Sequence, residues 1–246
     1  MRAKCYQREI REREAAAILR PQDRAIAYSV EEIPVAEARE FILRYEWLGT
    51  MGRSAAVYGA RDVSGELAAV ACFGWPGSPQ SRDICGREYR DRAVCLERGA
   101  CAPWAHRHTG SWFVSQAVKR AHKDRGWTIF YAYSDEEAGE IGTIYQAGSW
   151  LYLGQGIGRS PGRKREDWMR PDGVTVSSRT LRHRGMKKKD ALELGWTLVY
   201  REPKHKYVRF EGSRSAKKNL LSVLRYPPQP YPKRDAEELR QLGGGE

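Results

Sequence analysis

Three side chains that can move a proton or hold a charge lie in or beside apolar segments. Glu97 lies within the strand-like segment AVCLERGAC (93–101), Asp135 stands just past the apolar run WTIFYAY (127–133), and Tyr145 follows ten residues later. A carboxylate can orient an amine or accept its proton, and a tyrosine can donate or relay one. We therefore take all three as candidate catalytic groups. A structurally paired Glu97, a helix-capping Asp135 and a core Tyr145 are the alternatives.

A small polar loop, HRHTGS (106–111), precedes a segment with helical periodicity. The free backbone N–H groups at a helix start favour a phosphate, so this loop is a candidate site for the cofactor or group donor. Its candidate residues are His106, His108, Thr109, Gly110 and Ser111. The alternative is an ordinary polar turn in which Thr109 or Ser111 caps the helix.

The same two histidines lie near Cys95 and Cys101 in the sequence, which raises the question of a metal site. The spacing Cys-x5-Cys-x4-His-x-His matches no common zinc pattern, so we predict no metal ligands. Five cysteines, an odd and low number, fit reduced thiols in the cytoplasm better than a disulfide framework. No apolar run approaches the roughly 18–20 residues of a membrane span, and residues 1–24 lack the apolar centre of a secretory signal.

Positive charge is concentrated in the last third of the chain. The 246 residues carry a formal net charge of +12, and residues 159–246 hold 22 basic but only 11 acidic side chains. This distribution predicts a polyanionic partner, with a merely solvated basic surface as the alternative. The candidate contact residues are Lys164, Arg165, Arg179, Arg182, Arg184, Lys187, Lys188, Lys189, Lys204, His205 and Lys206.

The apolar patterns predict the elements that position these groups. Strands are expected at 25–30, 57–61, 66–74, 93–101, 127–133 and 151–154, and a turn at 62–65 joins two of them into a hairpin. Helical spacing predicts helices over 37–45, from 113 to Gly126, and over 142–150, while 75–92 is predicted to be a long loop. The alternation of strands and helices indicates an α/β core, with the HRHTGS loop and Asp135 at strand ends, where open sheets bind ligands.

These patterns divide the chain into four regions. We expect a charged N-terminal extension at 1–24 and a catalytic core at 25–158. A basic C-terminal region at 159–234 should complete the fold and contact the polyanion, and a flexible tail should follow at 235–246.

Several segments resemble the phage Mom-type DNA modification proteins. The specific part is 96–154, which contains LERGACAPW, SWFVSQA and FYAYSDEEAGEIGTIYQAGSWLYLG in this order. YEWLGT upstream, and PKHKYVRFEG and LRYPPQPYPK downstream, are similar to the same family, so the resemblance covers roughly residues 40–234. It implies an α/β (α+β) fold of the GNAT acyltransferase type, with a mixed central sheet flanked by helices and a basic C-terminal extension.

The resemblance also implies an activity and its residues. The activity is the addition of a carbamoylmethyl (acetamido-type) group to the N6 amine of adenine in double-stranded DNA, which protects phage DNA from restriction in the host cytoplasm. The matching positions imply that Glu97, Ser111, Asp135 and Tyr145 belong to the active site. We assign Asp135 to the N6 proton, Tyr145 to its relay, and Ser111 with the helix start to the donor.

The sequence leaves the group donor open. The GNAT pyrophosphate loop Q/R-x-x-G-x-G/A is absent, since HRHTGS stands in its place, so acyl-CoA cannot be assumed and a role for iron is also open. Glu46 in YEWLGT stands where the family pattern leads us to expect histidine, and it is not among the candidates. Two rival functions are an N-acyltransferase acting on a protein or small-molecule amine and a non-catalytic DNA-binding module. A homodimer is also an open alternative.

Overall fold

The computed structural model describes residues 27–234, with gaps at 47, 49, 53, 78, 107 and 157–163. The extension predicted at 1–24 and the tail predicted at 235–246 therefore lie outside the described residues. Within the described ranges, no helix combines the length and the apolar character that crossing a lipid bilayer requires.

Strands and helices alternate along the chain, as the apolar patterns predict for an α/β core. The strands are β1 (Ser29–Glu32), β2 (Ser54–Arg61), β3 (Leu67–Gly74), β4 (Ala93–Cys101), β5 (Ile129–Ser134), β6 (Leu151–Gln155), β7 (Arg165–Met169), β8 (Thr175–Ser177), β9 (Thr197–Arg201) and β10 (His205–Phe210). The helices are α1 (Val35–Tyr45), α2 (Thr109–Arg125), α3 (Thr143–Ala147), α4 (Ser178–His183), α5 (Lys188–Glu193) and α6 (Arg214–Ser222). The region predicted as a loop at 75–92 contains two short 3-10 helices, Pro79–Arg82 and Arg87–Arg92.

Seven strands form the central sheet, in the order β1-β2-β3-β4-β5-β10-β6. β4 and β5 are parallel, and the other neighbouring pairs are antiparallel. The sheet is therefore mixed, as predicted. The hairpin of β2 and β3 closes because the Asp62 carboxylate accepts hydrogen bonds from the backbone N–H groups of Ser64 and Glu66.

Helices cover both faces of the central sheet. α2 packs its apolar side, including Phe113 and Val118, against one face. α1 covers the other face through Phe41 and Ile42, and α6 covers a further part of that face. Gly126 ends α2 with a φ of 70°, a left-handed conformation that glycine adopts without strain, as the sequence predicts.

The last third of the chain contributes to two sheets. β10 lies between β5 and β6, so residues far along the chain complete the central sheet. β7, β8 and β9 form a separate three-stranded sheet in the order β8-β7-β9. α4 and α5 pack with this sheet into one small unit. Its small core contains Trp168, Val176, Leu181, Ala191 and Trp196. The sequence patterns did not predict this unit, because its strands have only three to five residues and few apolar positions.

We expect Gly142→Ala to lower the free energy of unfolding by about 3 kcal/mol, and Gly126→Ala by about 1 kcal/mol. Both glycines have a positive φ, 77° and 70°, so alanine is strained at either position. A Cβ on Gly142, at the start of α3, would also lie 2.4 Å from the Tyr207 ring, whereas one on Gly126 would meet nothing within 4 Å. Urea unfolding of the two variants measures the difference, and equal losses would contradict the expectation.

Candidate active site

A cavity opens where β4 and β5 part. The two strands pair only over 93–96 and 129–132, although β4 continues to residue 101 and β5 to residue 134. Beyond the last pair lies a cavity of about 210 Å³. Two tyrosines, Tyr133 and Tyr145, line it. Its charged lining comes from Glu46, Glu97, Arg98, Asp135, Glu140 and Lys204. The fold thus brings three of the four predicted catalytic residues, Glu97, Asp135 and Tyr145, into one cavity.

Glu97 is the extra residue of a β-bulge in β4. Leu96 lies opposite Phe73 and Arg98 lies opposite Cys72, which leaves Glu97 without a partner on β3. The bulge interrupts the alternation of side chains along β4, so these two neighbouring residues need not point to opposite faces of the sheet. Both side chains line the cavity, and a Cβ on Gly52 would lie 2.7 Å from the Glu97 carboxylate.

Asp135 is a buried carboxylate that two cations hold in place. The register of β10 with β5, in which His205 lies opposite Ser134, brings Lys204 beside it. Lys204 Nζ lies 3.1 Å and Arg165 Nη2 lies 3.0 Å from Asp135 Oδ2. Burial alone would raise the pKa of this carboxyl, but Lys204 and Arg165 outweigh burial and hold the pKa below its ordinary value. Asp135 is therefore ionised at neutral pH and is a weak proton acceptor.

Glu46, which the sequence analysis did not select, is better suited to accept a proton. It follows α1, its side chain is 6% exposed, and its Oε2 accepts a hydrogen bond from the Leu48 backbone N–H at 2.8 Å. Burial raises the pKa of Glu46 to about 7, against the opposing effect of the Arg98 guanidinium. In the sequence, an acidic residue directly after an amphipathic helix is typical of a solvated helix end, which is why Glu46 was not selected. The one sequence signal for a role in the site was that Glu46 stands where the family pattern has histidine.

Tyr145 reaches the cavity from α3. Its ring packs against Trp150 and Tyr207, with centroids 5.2 and 5.3 Å away. Burial raises the pKa of the phenol, and the nearby Glu140 raises it further. Tyr145 therefore keeps its proton at neutral pH and can donate a hydrogen bond to a group inside the cavity.

Ser111, the fourth predicted catalytic residue, is not among the residues that line this cavity. It lies in the first turn of α2, where its Oγ donates to the carbonyl oxygen of His108 at 3.3 Å. The neighbouring Thr109 is buried, and its Oγ1 lies 3.4 Å from the Tyr28 hydroxyl. Among the residues that the structure describes, no side chain caps the start of α2. The fold thus separates Ser111 from the three cavity residues.

In the described part of the HRHTGS loop, the glycine leaves no open space for the pyrophosphate of an acyl-CoA-type donor. A Cβ on Gly110 would lie 3.0 Å from Ile144 Cδ1, so the bare side of this glycine faces α3 and not a ligand. The rings of His106 and His108 face each other at 5.3 Å, and His106 Nδ1 accepts a hydrogen bond from the His108 backbone N–H. The described loop residues contact one another, Tyr28, Cys101 and α3.

Most of the predicted DNA-contacting residues lie on or beside the small sheet. The exposed ones are Lys164, Arg179, Arg182, Arg184, Lys187, Lys188 and Lys189. Arg165 and Lys204 are only partly accessible, because both side chains turn towards Asp135. The positive charges of these two residues are therefore paired with Asp135 inside the site and are not available at the surface.

His205 and Lys206 are buried in β10, 5% and 4% exposed, which corrects the expectation that they lie on a DNA-binding surface. His205 Nδ1 is hydrogen-bonded to the Tyr152 hydroxyl at 2.8 Å, and burial lowers the pKa of the imidazole. Lys206 Nζ lies over the rings of Tyr131 and Tyr133, and burial lowers its pKa to about 8. Basic residues in sequence suggest a surface, but the place of β10 between two other strands encloses them.

The cysteines and the candidate metal ligands of the described ranges were predicted to form neither disulfides nor a common zinc site. No three His, Cys, Asp or Glu side chains there are placed to hold a metal ion. The four cysteines in these ranges form no disulfide, and burial raises the pKa of Cys72 and Cys85 to about 12. Burial also raises the pKa of Cys95, which lines the cavity, so its thiol stays protonated.

The mixed seven-stranded sheet with helices on both faces defines an α/β protein with the central architecture that the sequence resemblance implies. The sequence profile of the Mom protein family matches residues 27–233. The chain therefore belongs to the Mom protein family. None of the curated proteins compared with the chain matches it in sequence.

Several solved N-acetyltransferase structures are similar at very low identity. Spermidine N-acetyltransferase from Vibrio cholerae, in complex with CoA and spermine, is 6% identical, and the match covers 79% of this chain and 98% of that one with a TM-score of 0.42. IAA acetyltransferase from Bacillus cereus is 12% identical, with coverages of 75% and 100% and a TM-score of 0.40. Polyamine N-acetyltransferase from Drosophila melanogaster is 11% identical, with coverages of 75% and 100% and a TM-score of 0.40. TM-scores this low carry no argument about activity.

We expect Glu46→Gln to stabilise the protein at pH 8 by roughly 3 kcal/mol and to change its stability little near pH 4. The pKa of Glu46 rises from the ordinary 4.5 to about 7 on folding. Between these values the folded state holds the extra proton, so the wild type loses stability as pH rises through this window.

Urea unfolding at both pH values measures this effect. The exposed Glu193→Gln is the control and should change stability by less than about 0.5 kcal/mol at either pH. A Glu46→Gln effect that is the same at pH 4 and pH 8 would contradict the assigned pKa.

Proposed function

We propose that this chain is a transferase that adds a carbamoylmethyl (acetamido-type) group to the N6 amine of adenine in double-stranded DNA. The observation that carries the proposal is the cavity at the β4–β5 opening, whose lining includes Glu46, Glu97, Asp135 and Tyr145. An amine acceptor needs positioning groups and a proton acceptor, and this set of side chains supplies both. Membership of the Mom family supports adenine as the acceptor.

The size of the cavity and the charge of the chain support a base within a nucleic acid as the acceptor. A volume of about 210 Å³ is below the roughly 300–1,000 Å³ of pockets that enclose whole ligands, so it suits the edge of one flat ring. A base in a duplex has to leave the stack to reach such a cavity. The basic last third of the chain suits the phosphates that flank that base.

The central chemical problem is the proton on N6. The lone pair of this nitrogen is delocalised into the purine ring, so the amine attacks the donor carbon only when it is positioned and loses a proton. As the N–C bond forms, the bond between that carbon and the rest of the donor breaks, and the leaving group departs with its electron pair. Glu46 is our choice of proton acceptor, because its pKa is about 7. Asp135, the residue chosen from the sequence, is a weaker base because Lys204 and Arg165 lower its pKa.

The other cavity residues have positioning and donating roles in this proposal. Asp135 stays ionised, and its carboxylate oxygens can accept a hydrogen bond from the amine edge of the base while Lys204 and Arg165 balance its charge. Tyr145, which stays protonated, donates a hydrogen bond to the oxygen of the incoming group or to the leaving group. Ser111 lies outside the cavity, so any role of Ser111 concerns the remote part of the donor. Free thiols in the described ranges are consistent with a cytoplasmic setting.

Mass spectrometry of nucleosides tests the acceptor. We expect a heavier deoxyadenosine in DNA from cells that express the wild type, and a loss of at least about 100-fold in the Tyr145→Phe variant. Tyr200→Phe is the matched control, because Tyr200 is 61% exposed and should tolerate the change. Unmodified DNA together with a newly modified protein or small-molecule amine would refute adenine as the acceptor and favour the rival N-acyltransferase.

The pH dependence of the initial rate tests the proton acceptor. In donor-containing host extract, we expect the wild-type rate to rise about tenfold between pH 6 and pH 8 as a carboxyl with a pKa of about 7 ionises. Glu46→Gln should be slow and should lack this rise, whereas Asp135→Asn should be slow but keep it. If Asp135→Asn alone removes the rise, the proton acceptor is Asp135.

A further inference from the structure

We infer that one face of the small sheet unit binds the phosphate backbone of duplex DNA beside the cavity. This face, here called the α4 basic face, consists of Arg179 and Arg182 on α4 and of Arg184 and Lys187 just past its end. The inference rests on the proposed function for the identity of the polyanion. Of the eleven residues that the sequence predicts to contact the polyanion, the inference keeps these four.

The side chains of the α4 basic face differ from other exposed basic side chains of this unit because they form no ion pair with a carboxylate of the described residues. Lys164 Nζ lies 2.6 Å from a Glu202 carboxylate oxygen, and Lys188 Nζ lies 2.7 Å from one of Glu166. These two charges are largely neutralised within the protein. Four exposed side chains form no ion pair with any carboxylate of the described residues, namely Arg179, Arg182, Arg184 and Lys187.

The small sheet holds α4 firmly, so its exposed side chains project from a fixed support. Ser177 Oγ accepts a hydrogen bond from the Thr180 backbone N–H at 3.1 Å and caps the helix. Trp168 Nε1 donates to Ser178 Oγ at 3.2 Å, and Leu181 is buried in the core of the unit. A fixed support lowers the entropy that binding would otherwise cost.

The positions of the arginines place this face near the cavity. Arg179 and Arg182 are three residues apart, so they lie on the same side of α4. A Cβ on Gly77 would lie 3.5 Å from Arg179 Nη1. The adjacent Pro76 lines the cavity, so the α4 basic face begins beside the cavity wall. A backbone bound there would run past the opening through which a base enters.

The charge pattern fits a uniformly charged polymer better than a protein surface. Residues 173–189 contain six Lys or Arg and no Asp or Glu. Protein surfaces mix charges of both signs, so a complementary partner protein would favour some acidic residues here. Arginine also presents several N–H donors in one plane, which match the oxygens of a phosphate group.

Fluorescence anisotropy with a short labelled duplex tests the inference. Wild type, Arg179→Ala/Arg182→Ala and the control Lys164→Ala/Lys188→Ala are titrated between roughly 50 and 200 mM salt. Both double variants lose the same net charge.

We expect Arg179→Ala/Arg182→Ala to weaken binding at least about tenfold at the low-salt end and to reduce the slope of log affinity against log salt by about two. The control should reduce the slope by less than about one, and Arg179→Lys/Arg182→Lys should keep most of it.

The outcomes separate this inference from the proposed reaction, because binding requires no turnover. Unchanged binding by Arg179→Ala/Arg182→Ala, or an equal loss in the control, would overturn the inference even if the wild type modifies adenine. Specific loss of binding in Arg179→Ala/Arg182→Ala would support it even if no modified adenine were found. Binding of poly-glutamate as tightly as the duplex would overturn it in favour of an acidic protein partner.

Discussion

The early end of pairing between β4 and β5 is the constraint on which the site depends. The bulge at Glu97 adds one residue to β4 relative to β3, and pairing with β5 stops at Leu96. A bulge bends its strand and redirects the side chains around it. The sheet therefore opens at its single parallel pair, and polar groups from both strands face the opening while the paired part of the sheet stays apolar.

A buried charge cluster links the central sheet to the small sheet. Asp135 at the end of β5 receives Arg165 from β7 and Lys204 from the start of β10. Removing one partner from a buried ion pair leaves an uncompensated charge, which costs several kcal/mol. The basic last third is therefore attached to the central sheet at the cavity itself. The exposed cations of the small sheet unit therefore lie close to the cavity.

The cavity contains two carboxyl groups whose pKa values are driven in opposite directions. Glu46 loses hydration, which the Arg98 guanidinium at 4.0 Å and the Leu48 N–H offset only in part, and its pKa rises to about 7. Asp135 loses hydration as well, but two cations in contact with it lower its pKa. Two carboxyls with separated pKa values can take different roles at one pH, one exchanging a proton and the other holding a constant charge.

Local sequence determined the elements of the core and part of the site. Apolar periodicity depends on neighbouring residues, so α1, α2 and the strands β2 to β5 lie close to where the pattern predicts them. Glu97 and Asp135 were recognisable because charge is rare beside apolar runs. Tertiary structure alone decided the raised pKa of Glu46 and the burial of Lys206, because hydration depends on segments distant in sequence. For the same reason, only the fold distinguished the neutralised cations of the last third from those with no carboxylate partner among the described residues.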